Sequence, residues 1–246
     1  MADHEPSRRG RGIRIPSAVV RQVSTTGGPA RVHVFSTAGS PPPRGTVLLG
    51  HGAGAGVEST DLQALTALVR DGWRVALLEQ PWRVAGRRLA VAPRKLDQAT
   101  HDMLDAVSAG PDPLPRPWVL GGRSAGARVA CRLCERAQGV LLIAFPLQPP
   151  RVRDRQPPSR VGELRIPVRS GLPVLVLQGE RDRFGGPADI EEALRQEPPA
   201  SRRPEGDRTD SAKSAAIVRS YPGDHGPSRD GAALTEDARR FLDALP

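Results

Sequence analysis

Cysteine, lysine and aromatic side chains are all scarce in this chain. With two cysteines in 246 residues, no disulfide framework can staple the fold. Cys131 and Cys134 form a C-x-x-C, but no second cysteine pair or nearby histidine completes a metal shell, so no metal is expected. They sit in a helical apolar pattern with Val129, Ala130 and Leu133, and read as buried free thiols in a reducing, cytoplasmic setting. Aromatic residues are 3% of the chain, too few for base-stacking platforms. The net charge of +9 comes almost wholly from arginine, since only Lys95 and Lys213 are lysines. Those arginines are dispersed among acidic residues, which describes a solvated surface and argues against a nucleic-acid partner. Ser7-Arg8-Arg9 faintly suggests a twin-arginine signal, but Arg14 and Pro16 break the stretch that follows, and no apolar run reaches membrane-spanning length. No internal repeat is present.

The length suits one core. After a polar, basic tail over residues 1–12, expected to be disordered, residues 13–246 read as a single α/β domain. "AVVRQVS" and "ARVHVFST" flank Thr26-Gly27-Gly28-Pro29, predicting an antiparallel hairpin at a sheet edge. Then come short apolar runs fit for strands buried on both faces: "GTVLLG", "WRVALLE", "WVLGG", "GVLLIAF", "PVLVLQG" and "AAIVRSY". Helical stripes lie between them, such as Leu62, Leu65, Leu68 and Val69, or Leu96, Ala99, Met103, Leu104 and Val107, with further helices over about 124–136, around Ile190 and at the C-terminus. The alternation predicts a mainly parallel sheet with helices on both faces and no large cap domain. Residues 146–172 and 196–214, rich in proline and arginine or otherwise polar, are expected to be surface loops.

"WVLGGRSAGARVACRL" carries Gly122-x-Ser124-x-Gly126 at a strand-to-helix junction, the context in which a tight turn exposes a nucleophilic serine. A serine hydroxyl needs a base, and the base an orienting carboxylate; in this architecture they follow in the order serine, acid, histidine, each after a strand. Glu180-Arg181-Asp182 follows "PVLVLQG", and Asp224-His225-Gly226 follows "AAIVRSYPG". His225 is the only histidine after Ser124. Asp182 is the favoured acid, with Glu180 as its substitute. The expected catalytic set is therefore Ser124, Asp182 and His225, acting through an acyl-enzyme and needing no cofactor.

"LLGHGAGAGVES" has two readings. Gly50, Gly52 and Ala55 fit a dinucleotide-binding spacing, and Glu79 at the next strand end would suit a ribose. His51-Gly52-Ala53-Gly54 fits a loop that supplies oxyanion amides. Beside the elbow the second reading is stronger: Ala125 and a loop amide near Ala53 would hold the oxyanion.

In this order, "LLGHGAGAGVES", "LLEQPWRVAGRR", "GGRSAGARVA", "FPLQPP", "VLVLQGERDRFG" and "YPGDHG" resemble the dienelactone-hydrolase-related branch of the α/β-hydrolases. That branch includes small predicted bacterial hydrolases and is similar to a regulatory subunit of the non-specific lethal histone acetyltransferase complex and to a testis-expressed relative. The resemblance runs from about residue 30 to the C-terminus and implies a cap-poor α/β-hydrolase with Ser124, Asp182 and His225 in the triad positions; the activity expected of them is hydrolysis of an ester or similar acyl bond of a small molecule. Dienelactone hydrolases proper use cysteine at the elbow, where this chain has Ser124. Residues expected to meet substrate are His51, Trp82, Arg87 and Arg123, with Arg88 beside them; the alternative for Trp82 is simple packing over the sheet edge. The competing classes are a noncatalytic scaffold on a hydrolase fold and, more remotely, a dinucleotide-binding protein.

Overall fold

A computed structural model describes residues 18–37, 42–149, 157–195 and 216–246. The expected tail over 1–12 and loop over 196–214 lie outside the described residues. Among these residues, strands β1 (Val19–Thr25), β2 (Gly28–Phe35), β3 (Thr46–Gly50), β4 (Arg74–Glu79), β5 (Trp118–Arg123), β6 (Gly139–Ile143), β7 (Val174–Gly179) and β8 (Ala216–Tyr221) form one sheet. Their spatial order is β1-β2-β4-β3-β5-β6-β7-β8. β1 pairs with β2 and β2 with β4 antiparallel; all other pairs are parallel. The predicted hairpin therefore sits at one edge. It is tied down by Asp102, whose carboxylate accepts from the Thr26 N–H at 2.7 Å and hydroxyl at 2.8 Å.

Because side chains alternate across a strand, each apolar run feeds two cores. Val47, Leu49, Val75, Leu77, Val119 and Leu141 face helix α1 (Thr60–Leu65), the tighter helical turn Thr66–Asp71 that extends it, and α7 (Gly231–Asp243). Leu48, Ala76, Leu78, Leu120, Val140 and Leu142 face the other way, toward α3 (Pro93–Ala109), α4 (Ala125–Arg132), α5 (Val161–Arg169) and α6 (Pro187–Arg195), with the one-turn α2 (Pro81–Val84) between β4 and α3. This is why the central runs are apolar throughout rather than alternating with polar residues.

Two expectations need correction. The segment over 146–172 is not a plain loop: it contains α5, although Pro167 lies inside that helix. Tertiary contacts override the unfavourable composition, since Leu164 and Pro167 are buried and Glu163 takes a two-pronged contact of 2.7 Å from Arg128. The helix expected over 124–136 ends at Arg132 and continues only as a tight turn, Cys134–Arg136. Cys131 and Cys134 are free and buried, and burial pushes both thiols above their ordinary pKa.

Candidate active site

The carboxyl ends of β3, β4, β5, β7 and β8 lie along one rim, and His51, Trp82, Ser124, Asp182 and His225 each follow one of them. At the end of β5 the chain turns sharply into α4. Ser124 takes φ 52° and ψ −106°, a strained conformation for a residue with a Cβ. Its backbone N–H donates to Ile143 O at 2.9 Å, which fixes the strained residue against β6. Close packing explains the flanking glycines: a Cβ at Gly122 or Gly126 would overlap the Gly50 backbone on the neighbouring strand. The helix start and the end of β3 are thus pressed together, and Gly52 lies against Ser124.

The Ser124 hydroxyl is 2.9 Å from His225 Nε2, and His225 Nδ1 is 2.8 Å from Asp182 Oδ2. With Asp182 ionised, Nδ1 carries the proton and Nε2 is left to accept from the serine. The three side chains belong to loops after β5, β7 and β8. The last two loops are zipped together by Glu180 N–H to Tyr221 O at 3.0 Å and Arg181 N–H to Gly223 O at 2.9 Å. Glu180, the substitute acid, is exposed; Asp182 is the carboxylate that reaches His225.

Each member is held by a residue that motif reading did not assign to it. Asp182 is buried, accepting from the Phe184 N–H on one oxygen and from Gln178 Nε2 on the other, both at 2.9 Å. Gln178, fully buried at the end of β7, also donates to Gly185 O at 2.7 Å and accepts from the Phe145 N–H at 2.9 Å. In the sequence it is only the polar residue closing an apolar run, and no signal there points to the acid. The Phe184 ring meets the His225 imidazole edge-on, with centroids 4.5 Å apart.

The loop after β3 contains His51, Gly52 and Ala53. Ala125 opens α4, so its N–H has no intrahelical acceptor and lies next to the serine. Ala53 is exposed on the facing loop. His51 is buried, and both ring nitrogens are used: Nδ1 donates to Gly52 O at 2.8 Å, and Nε2 accepts from the Gln80 N–H at 3.1 Å. Burial lowers its pKa below the ordinary imidazole value. A neutral His51 therefore ties the glycine loop to the end of β4, and has no nitrogen left for a substrate.

Residues 43–207 match the family described as the alpha/beta hydrolase domain. The chain belongs to the α/β-hydrolase family. Solved α/β-hydrolases share its fold at low identity. A serine hydrolase without a lid from Xanthomonas campestris is 18% identical, with TM-score 0.65, 96% of this chain and 100% of that one covered. Est1E from Butyrivibrio proteoclasticus is 11% identical, with TM-score 0.65, 91% and 97% covered. A cold-adapted esterase from an Arctic intertidal metagenomic library is 18% identical, with TM-score 0.63, 98% and 100% covered. No curated protein matches the sequence.

In this α/β-hydrolase two expected substrate contacts besides His51 are otherwise placed. Arg123 is not a rim cation: it is buried, donating Nε to Asp61 Oδ2 at 2.9 Å and another N–H to the His225 carbonyl. Its position in β5 points it at α1, where the fully buried Asp61 neutralises it. Arg87 is exposed on the loop after α2 and does not line the cavity beside Ser124. Trp82 does line that cavity, with its ring centroid 5.5 Å from that of His51. The dinucleotide reading fits poorly, because it needs a helix starting inside the glycine loop and α1 starts at Thr60. Glu79, the would-be ribose ligand, is 2.9 Å from His33 Nε2. Among the described residues, no helix is long and apolar enough to cross a membrane.

Proposed function

We propose that this protein is a serine hydrolase that cleaves an ester or similar acyl bond of a small molecule. The observation that carries the reading is the unbroken hydrogen-bond chain from Ser124 through His225 to the buried Asp182. His225 takes the serine proton as Oγ bonds to the substrate carbonyl carbon, while Asp182 fixes the tautomer and offsets the imidazolium charge. The N–H groups of Ala125 and Ala53 are assigned to the oxyanion. When the tetrahedral intermediate collapses, the carbon–oxygen bond to the alcohol breaks and His225 protonates that alcohol. Water then adds by the same route: His225 takes its proton, the acyl–serine bond breaks, and the acid leaves as Oγ regains a proton.

We assign the chain to the dienelactone-hydrolase-related branch, in a serine-bearing form, on the order of its rim motifs. We also assign residues 13–246 to one domain and the protein to the cytoplasm, the latter on its two buried free thiols. A small molecule is the partner; the dispersed arginines favour no nucleic acid.

A series of nitrophenyl esters of increasing acyl length tests the activity. Wild type should hydrolyse the short members, and Asp182→Asn should lower kcat by about three to four orders of magnitude, because the imidazole loses its tautomer control. Equal turnover by wild type and Asp182→Asn would contradict the assigned roles.

A further inference from the structure

Ser124 and His225 are connected by two routes. One is their own hydrogen bond, between Oγ and Nε2. The other runs through Arg123, the residue before the serine, whose Nη2 donates to the backbone carbonyl of His225. The first route is lost in every turnover, because an esterified Oγ has no proton to donate. The second is left intact by the chemistry.

That second route is anchored in the interior. Arg123 is 5% exposed and Asp61, on α1, not at all. Arg123 Nε donates to Asp61 Oδ2 at 2.9 Å, and Asp61 Oδ1 accepts from the Leu62 N–H at 2.8 Å. A Cβ on Gly52 would lie 3.0 Å from Arg123 Nη1, so the glycine loop packs against the same guanidinium. One planar fork thus meets α1, the glycine loop and the histidine segment, an arrangement that the point charge of an ammonium cannot reproduce. The histidine segment depends on such support, since residues 222–230 form neither helix nor strand. Thr60, next to Asp61, adds to it by donating its hydroxyl to Ser228 O at 2.9 Å.

Stability alone is a poor explanation for an ion pair this deep. Removing both charges from water offsets their attraction, and apolar side chains of similar volume are often as stable. What a fixed fork supplies is direction. Resting on the serine-hydrolase reading, we propose that Arg123, oriented by Asp61, is a positioning residue for the second half of the reaction. In the acyl-enzyme, His225 Nε2 takes a proton from water as the water oxygen bonds to the acyl carbon; the carbon–Oγ bond then breaks and the proton passes to Oγ. During that half the imidazole is held at its ring by Asp182 and Phe184 and at its backbone by Arg123, without a proton from Ser124. Loss of the Arg123 contact therefore slows deacylation more than acylation, in which the serine also orients the ring.

The test measures both half-reactions on nitrophenyl acetate at saturation. Acid quenching during steady turnover, followed by mass spectrometry of the protein, gives the fraction of enzyme carrying acetyl on Ser124. Dividing kcat by that fraction gives the deacylation constant, and dividing it by the remaining fraction gives the acylation constant. Arg123→Met combined with Asp61→Leu removes both charges at once and should keep a Tm near that of wild type. In this double variant the deacylation constant should fall about 100-fold and the acylation constant about tenfold or less, so that acetylated enzyme accumulates. Arg123→Lys keeps a cation for Asp61 but cannot hold the His225 carbonyl as well. It should show the same unequal loss, so the test does not depend on the double variant folding. Constants equal to those of wild type, or an equal fall in both, would overturn the role of Arg123 and leave the serine-hydrolase reading standing. A wild type that neither becomes acetylated at Ser124 nor releases nitrophenol would overturn both.

Discussion

A carboxylate that orients a histidine must itself be immobile, and in this chain that duty falls to Gln178. Its amide bridges Asp182, Gly185 and the Phe145 backbone from a fully buried position. Gln178→Leu should keep the side-chain volume but release Asp182 and orphan the Phe145 N–H. The expected result is a stability loss of about 2 kcal/mol and a fall in kcat of about tenfold or more, with KM little changed, since a slightly misplaced base affects the transition state more than binding. Chemical denaturation and steady-state kinetics check the two parts separately; an unchanged kcat would show that Asp182 needs no such support. Single residues were unevenly legible in the sequence. Asp182 and His225 are named by their place after strands, whereas Gln178 reads only as the end of an apolar run. Arg123 reads as a rim cation because its partner Asp61 is 62 positions away and on another element.

Elements were legible where a pattern is repeated and obscure where a contact decides. The buried strands announce themselves as short apolar runs because both faces of each are covered. Helix α5 does not, because Gly162 and Pro167 count against a helix and the groups that favour it, Arg128 and Arg132 around Glu163, lie on α4. The elbow is the clearest joint between elements. Its helix can approach β3 only through hydrogen at Gly126, where a Cβ would strike the Gly50 carbonyl. Gly126→Ala should therefore destabilise the protein by about 3 kcal/mol or more, by overpacking against backbone that has no side chain to move aside. Thermal unfolding measures this, and a Tm equal to that of wild type would contradict the packing.

At the scale of the molecule, the sheet order carries the chemistry. β3 leads to β4 on one side and pairs with β5 on the other, so the glycine loop and the elbow meet where the order reverses. β7 and β8 then extend the same edge and bring acid and histidine to the serine from residues 58 and 101 positions further along the chain. The central claim is that this meeting point makes a nucleophile of Ser124. Labelling the folded protein with a fluorophosphonate, followed by peptide mapping, tests it most directly, because the reagent bonds only to a serine with an effective base. Modification at Ser124 in the wild type, its loss in Ser124→Ala and its strong reduction in His225→Ala are the predicted results. A folded wild type that takes up no more label than Ser124→Ala would contradict the account and leave a hydrolase fold serving as a binding scaffold.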